Sequence, residues 1–379
     1  MERELEMRKK VSATAHSNEI RMADWAGRAT LDIIGLTSMD CDFHTLQDPK
    51  NELDRQYSLM LGRNRPLSSR LLFLLGMFTS HPYLLAKVPT RFNREVNGAS
   101  AVVRSVALQV IRQKRRKLLE VSKLRPPSPE EGPEEGGGGD DVDIVSLAMR
   151  SGVFTEEKLV DQMMTFLGAG HETTSSALQW AVYYLSRHQD VQTRLRDEVR
   201  ANLPSISPEN VAAGGSSCTI TAPAVDSLPY LNAVCNEILR YRPPIQSTTR
   251  VAARDTMLLG NLIPKGTIVM LSPETFNHDK SLWGADADEF NPDRWMGPGC
   301  ANTGGAVNNY AMLTFIHGPR SCIGQGFAKS ELACMIATVV GRFHIQTNDA
   351  ATTYPRMVSN ITVKPTDGAL AHFTPLEGW

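Results

Sequence analysis

The sequence predicts a mainly α-helical fold with small β-sheets, and three observations carry that expectation. Apolar residues recur at helical spacing over most of the 379 residues. Stretches with strand character are short and fall late in the chain. The composition, 41% hydrophobic and 21% charged, is that of an ordinary globular protein and excludes wholesale disorder or collagen-like repetition. The length admits one large domain or two or three smaller ones. A single domain over residues 1–379 is expected, because the strongest motifs lie together downstream and the upstream part carries no evident site of its own.

Taken in order, the opening MERELEMRKK is charged from its second residue and offers no apolar core for a secretory signal. Glu4/Arg8 and Glu6/Lys10 stand four apart, the order that favours a solvated helix. Trp25, Ala29, Ile33 and Leu36 then repeat at helical spacing, with a break near residues 40–43. Residues 71–78 form an apolar run far short of the ~18–20 residues a spanning helix needs. The chain is therefore expected to be soluble or peripherally attached to a membrane.

A second helix over about residues 94–121 ends in the basic run Arg112, Lys114, Arg115, Arg116 and Lys117. A nucleic-acid or nuclear-localisation reading competes here with a solvated helix end, where cations suit the dipole. The latter is preferred, because 40 Lys+Arg against 41 Asp+Glu leave a formal net charge of -1 and no basic excess. Residues 125–143, RPPSPEEGPEEGGGGDDVD, bury almost nothing apolar and are expected to be a disordered insertion within the domain. Further loops are expected near residues 205–224 and 297–309.

Val160, Met163, Met164 and Leu167 open a long amphipathic helix that continues past Trp180 and Leu185. Residues 257–259, the Gly260-Asn261 pair and residues 267–271 suggest one small hairpin region. Residues 361–364, the Asp367-Gly368 turn signal and residues 370–373 suggest another. Six cysteines, irregularly spaced and without a CxxC pair, support neither a disulfide framework nor a zinc site, and point to a reducing compartment.

The most informative stretch is Phe315-Ile316-His317-Gly318-Pro319-Arg320-Ser321-Cys322-Ile323-Gly324. A helix pattern follows it, with Ala328, Leu332, Met335 and Val339 on one apolar stripe. A cysteine at a helix N-terminus with Arg320 two residues before it has its thiolate favoured by dipole and cation. Gly318 and Gly324 let the backbone turn tightly and approach a flat ligand, and Phe315 could shield the sulfur from water. These are the needs of an iron–thiolate bond to heme. An inert buried cysteine is the ordinary alternative and is the reading taken for Cys41, Cys218, Cys235, Cys300 and Cys334. At Cys322 the FxxGxRxCxG arrangement instead resembles the heme-binding loop of the cytochrome P-450 family.

Other motifs extend the resemblance in the family's order over about residues 152–344. Ala169-Gly170-His171-Glu172-Thr173-Thr174 stands in the middle of the long helix. Gly168 and Gly170 are costly there by about 1 kcal/mol each relative to alanine, and the threonines can bend the helix by bonding back to carbonyls. A ligand lying against the backbone would explain those costs; a packed helix with a tolerated flaw is the alternative. The segment is similar to the family's oxygen-binding helix, which implies that Thr173 steadies iron-bound dioxygen and Glu172 helps relay protons. Ala169 and Gly170 would lie against the cofactor.

Glu237 and Arg240 lie three apart on one helix face, ahead of the helix-stopping Arg242-Pro243-Pro244. By itself such a pair is as well explained by the surface. The resemblance implies that it joins Arg294, from Phe290-Asn291-Pro292-Asp293-Arg294-Trp295, in a buried network supporting the cysteine loop. It also implies that Arg250 and Arg320 meet the heme propionates through their forked donors; a surface arginine is the alternative for Arg250.

Upstream, residues 31–43 resemble a helix found well inside membrane-bound fungal members. The expectation is thus a cytochrome P-450 fold lacking its N-terminal part, including the anchor, an early sheet and a further heme-clasping helix. The family implies heme b (iron protoporphyrin IX), dioxygen, and electrons from NADPH through a separate cytochrome P-450 reductase. It implies hydroxylation or epoxidation of an apolar small molecule, in secondary metabolism by the fungal likeness, with no nucleic-acid partner. The expected location is the cytosolic face of the endoplasmic reticulum, or the cytoplasm if the chain is whole. Two other readings remain at this point: a heme-thiolate isomerase or dehydratase, and a truncated, non-catalytic product unable to hold heme.

Overall fold

The computed structural model describes residues 19–61, 88, 90–124, 143–207, 210, 219–347, 356–359 and 361–379. The N-terminal charged pairs, the apolar run 71–78, the Pro/Gly/acid segment up to residue 142, Cys218 and much of the 205–224 loop lie outside these residues. The chain runs β1 (Glu19–Arg21), α1 (Met22–Met39), α2 (Glu52–Met60), α3 (Arg91–Leu124), α4 (Ile144–Arg150), α5 (Glu156–Leu185), α6 (Gln189–Asn202), α7 (Ala222–Asp226) and α8 (Pro229–Tyr241). Then follow β2 (Thr248–Val251), β3 (Thr256–Leu258), β4 (Asn261–Ile263), β5 (Ile268–Leu271), α9 (Pro273–Asn277) and α10 (Lys280–Trp283). After two 3₁₀ turns, Pro292–Trp295 and Gly318–Arg320, come α11 (Gln325–Arg342), β6 (Phe343–Gln346), β7 (Met357–Ser359), β8 (Val363–Pro365) and β9 (Leu370–Pro375). The architecture is mainly helical with small antiparallel sheets, as the sequence predicts. No helix among the described residues is long and apolar enough to cross a membrane.

Two compact units make up the chain, residues 27–172 and residues 1–26 with 173–379, the divisions falling inside α1 and α5. In the first unit, α1 ends where its spacing predicts, with Asp40 in the left-handed region at φ 47°. The loop beyond folds back because buried Asp32 accepts from the amides of Thr45 and Leu46, both at 2.9 Å. The helix is as expected but the face is not: Leu36 is 52% exposed, while Ala26, Leu31, Ile34 and Met39 are buried. A 3.6-residue period gives the spacing of a stripe, and α1 carries two apolar stripes that satisfy it.

The basic run on α3 is solvated as expected at Arg112, Arg115, Arg116 and Lys117, and departs from the expectation at Lys114. Lys114 is buried against Asp143, which N-caps α4 through the amides of Val145 and Ser146, both at 3.0 Å. Arg115 pairs with Glu156 at 2.7 Å and Lys117 with Asp40 at 3.1 Å. The helix end is thus solvated and also tethered, with Arg112, Lys114, Arg115 and Lys117 turned to carboxylates of the same unit.

In the second unit, β9 is the middle strand of the sheet β1-β9-β6, with Ile20 opposite Ala371 and Ile345 opposite Phe373. The expected hairpin of residues 361–364 with 370–373 does not form. β8 pairs with β7, and the Asp367-Gly368 turn, at φ 73° for Gly368, carries the chain from one sheet to another. A turn signal marks a change of direction but not the partner of the next strand. The earlier hairpin turns at Leu259-Gly260 but pairs β3 with β4, residues 261–263, and not with residues 267–271: β5 pairs with β2, the strand that carries Arg250. On α5, Ser176 and the fully buried Trp180 both donate to the carbonyl of Val363, at 2.7 and 2.8 Å, fixing β8 to this helix. α11 buries Leu332, Ala333, Met335, Ile336, Ala337 and Val340, a wider apolar surface than the predicted stripe.

Candidate functional site

Gly318-Pro319-Arg320 makes a single 3₁₀ turn, entered through Ile316 at φ 58° and Gly318 at φ 78°. The positive φ at Gly318 is the turn that glycine permits without steric cost. The amide of Cys322 donates to the carbonyl of Phe315 at 2.8 Å, which closes the loop and sets the cysteine three residues before α11. Gly324 has an ordinary φ of -93° and open space where a Cβ would stand, so nothing within the protein demands glycine there.

Cys322 lines a cavity of about 240 Å³. Its walls bring together Thr173, Arg250, Phe315, Arg320 and Cys322, with Ala177, Leu239, Ile245, Ala328 and Leu332 supplying apolar surface. Among the described residues neither Arg250 nor Arg320 has an acidic partner; Arg250 donates to Thr249 O at 2.9 Å and Thr248 Oγ1 at 3.2 Å. The other described cysteines stand outside this cavity. Burial pushes the Cys235 thiol up to about 12, which leaves it inert as a nucleophile or ligand.

The central helix departs from the sequence expectation at Ala169, Gly170 and Glu172. A Cβ on Gly170 would stand 2.8 Å from Ile34 Cδ1, so its missing side chain admits α1, not a ligand, against the backbone. Gly168 faces open space. Ala169 is exposed, Glu172 is buried, and neither is among the cavity's lining residues, nor are Gly170, Gly318 and Gly324. Thr173, the next residue along α5, is.

Glu237, Arg240 and Arg294 come together. Arg240 Nε and Nη2 donate to Glu237 Oε2 and Oε1, each at 2.8 Å, and Arg294 Nε donates to Oε1 at 3.2 Å. The amide of Asn291, at 2.8 Å, and the indole of Trp295, at 3.0 Å, complete the shell of the carboxylate. Arg240 uses its remaining donors on the carbonyls of Asn277, Ala287 and Glu289, at 2.7 to 2.9 Å. A buried ion pair needs this degree of satisfaction to offset its desolvation.

Three contributors escaped the sequence reading. Asn277 accepts from the Leu313 amide and donates to Thr314 Oγ1 and Arg240 O, all at 2.9 Å, tying the charged network to the start of the cysteine loop. A lone asparagine before His278 gives no warning of this. Thr174 and Glu331 are the others. Glu331 does leave a signal, a carboxylate three residues after Ala328 and four before Met335, on a face that is otherwise apolar.

The donor set fits a flat, apolar, metal-bearing ring with two carboxylates: one accessible thiol, apolar walls and two guanidiniums without acids of their own. Comparison with known proteins agrees. The family model described as Cytochrome P450 matches residues 2–371. The chain is 50% identical over 364 residues to the cytochrome P450 monooxygenase sphH of Aspergillus fumigatus, covering 96% of this chain and 62% of that protein. It is 38% identical to the monooxygenase FSL4 of Gibberella zeae, covering 98% of this chain and 64% of that protein. It is 37% identical to FUM15 of Gibberella moniliformis, covering 90% and 60%. The chain thus spans less than two thirds of the length of these relatives.

Proposed function

We propose that this chain, which belongs to the cytochrome P450 family, binds heme b through Cys322 and serves a monooxygenase that hydroxylates or epoxidises an apolar small molecule. The observation that carries the reading is the single cavity wall shared by Cys322, the two arginines and Thr173. Bound heme would supply the redox chemistry in which dioxygen, two electrons and two protons yield one oxygen atom in the product and one water. Every other task falls to the protein. The Cys322 thiolate would hold the iron. Arg250 and Arg320 would pair with the two propionates through their forked donors. Phe315 and the aliphatic walls would exclude water and select an apolar substrate. The Thr173 hydroxyl would hold a proton at the cavity, supplied along α5 from Glu172.

Electrons would come from NADPH through a separate reductase, the likeness to fungal monooxygenases supports a role in secondary metabolism, and the cytosolic face of the endoplasmic reticulum is the proposed location. The test is a reduced, carbon monoxide-treated difference spectrum of protein supplied with hemin. A Soret band at the thiolate position that disappears in Cys322→Ala is expected. A colourless wild type, or a variant with an unchanged band, would overturn the reading.

A further inference from the structure

A column of aromatic rings begins one layer behind the cavity wall and ends at the surface. Trp180 is fully buried on α5, one turn after Ala177, which lines the cavity. Its indole donates to the carbonyl of Val363, and the Val363 amide donates at 3.0 Å to the carbonyl of Pro244, another residue of the wall. Tyr184 stacks on Trp180 with 6.0 Å between ring centroids and 29° between planes. Tyr241 meets Tyr184 edge-on at 5.3 Å. Its hydroxyl donates to the carbonyl of exposed Asp288 at 2.8 Å, so the column ends at water.

Packing accounts for rings in offset or edge-on contact. It does not account for their order. Tryptophan and tyrosine give up one electron more readily than phenylalanine or histidine, and here they stand in line from the cavity to the solvent. Phe290 and His188 pack to the side of that line. The guanidinium of Arg242 lies 5.6 Å from the Trp180 ring centre and 4.6 Å from that of Tyr241, and donates to the Tyr184 oxygen at 2.9 Å. A cation over a ring favours the neutral ring, so a positive charge left on any of these three is opposed. An oxidised ring therefore comes to rest only where a proton can leave, and of the three Tyr241 presents its O–H at the surface.

We propose that Trp180, Tyr184 and Tyr241 form an electron path that drains oxidising equivalents from the cavity when no substrate consumes them. The path rests on the reading of heme bound at Cys322, with hydrogen peroxide as the oxidant and a thiol in solution as the reductant. An electron leaves Trp180 for the cavity and is replaced from Tyr241 through Tyr184, and the Tyr241 phenol releases its proton to water. The thiol returns one electron and one proton to the Tyr241 radical. Two such cycles reduce one hydrogen peroxide to two waters and join two thiols in a disulfide.

Electron paramagnetic resonance of heme-loaded, substrate-free protein, frozen after mixing with hydrogen peroxide, tests it. Expected is a tyrosyl radical that falls severalfold in Tyr241→Phe, which keeps the ring and loses only the O–H, and in Trp180→Phe. Heme absorbance should bleach severalfold faster in both variants. A wild type without the radical, or an undiminished signal in Tyr241→Phe, overturns the proposal. The reduced, carbon monoxide-treated spectrum is recorded on the same samples. Its absence from the wild type overturns the heme reading and the path with it, whereas its presence without a tyrosyl radical overturns the path alone.

Discussion

Arg240 grips Glu237 with two parallel hydrogen bonds of 2.8 Å, and both side chains are fully buried. The pair sits where Asn277 and the 3₁₀ turn Pro292–Trp295 meet α8, so its geometry is passed to the chain that leads into Cys322. Neither residue lines the cavity.

Glu237→Ala should be among the most destabilising single changes. It leaves Arg240 charged, buried and without its counter-ion, and breaking such a pair costs about 3–5 kcal/mol. Denaturant titration against wild type measures it, and a loss below about 1 kcal/mol, the scale of a surface pair, would show that the network is dispensable.

Asn277→Ala should act locally. The Leu313 amide and Arg240 carbonyl lose a shared partner at a cost of about 1–3 kcal/mol. Hydrogen exchange should accelerate over residues 313–322, including the Cys322 amide bonded to Phe315. Acceleration confined to other segments would detach Asn277 from the cysteine loop.

Thr173→Ala should leave heme binding and the thiolate spectrum intact but uncouple turnover. With a reductase, NADPH and a substrate found from an apolar panel, a larger share of electrons should emerge as hydrogen peroxide. Unchanged coupling would remove Thr173 from proton handling.

Asp143 should give an acid-side signature. Burial raises its pKa, but the hydrogen bonds from Lys114 and Ser146 outweigh that and hold the carboxyl below its usual range. A depressed folded-state pKa stabilises above the unfolded value of about 3.9, and that stability is lost as pH falls through the folded one. Asp143→Asn should therefore lose stability at pH 6 and show a shallower further loss below about pH 4 than wild type does. Parallel stability–pH curves for the two proteins would contradict the sign.

The sequence alone determined the helical class, the presence of α1, α3 and α5, the end of α1, and the residues of the cysteine loop, because periodicity and turn chemistry are local properties of the chain. It also determined the family, since Cys322, Thr173, Glu237 and Arg240 occur in motifs readable without a structure. Only the tertiary structure decided which of two apolar stripes on α1 is buried, that β8 and β9 join different sheets, and that Gly170 makes room for Ile34. It alone brought Asn277 under the loop and Glu331 beside Thr174. These depend on contacts between residues far apart in sequence, whose partners no local spacing encodes.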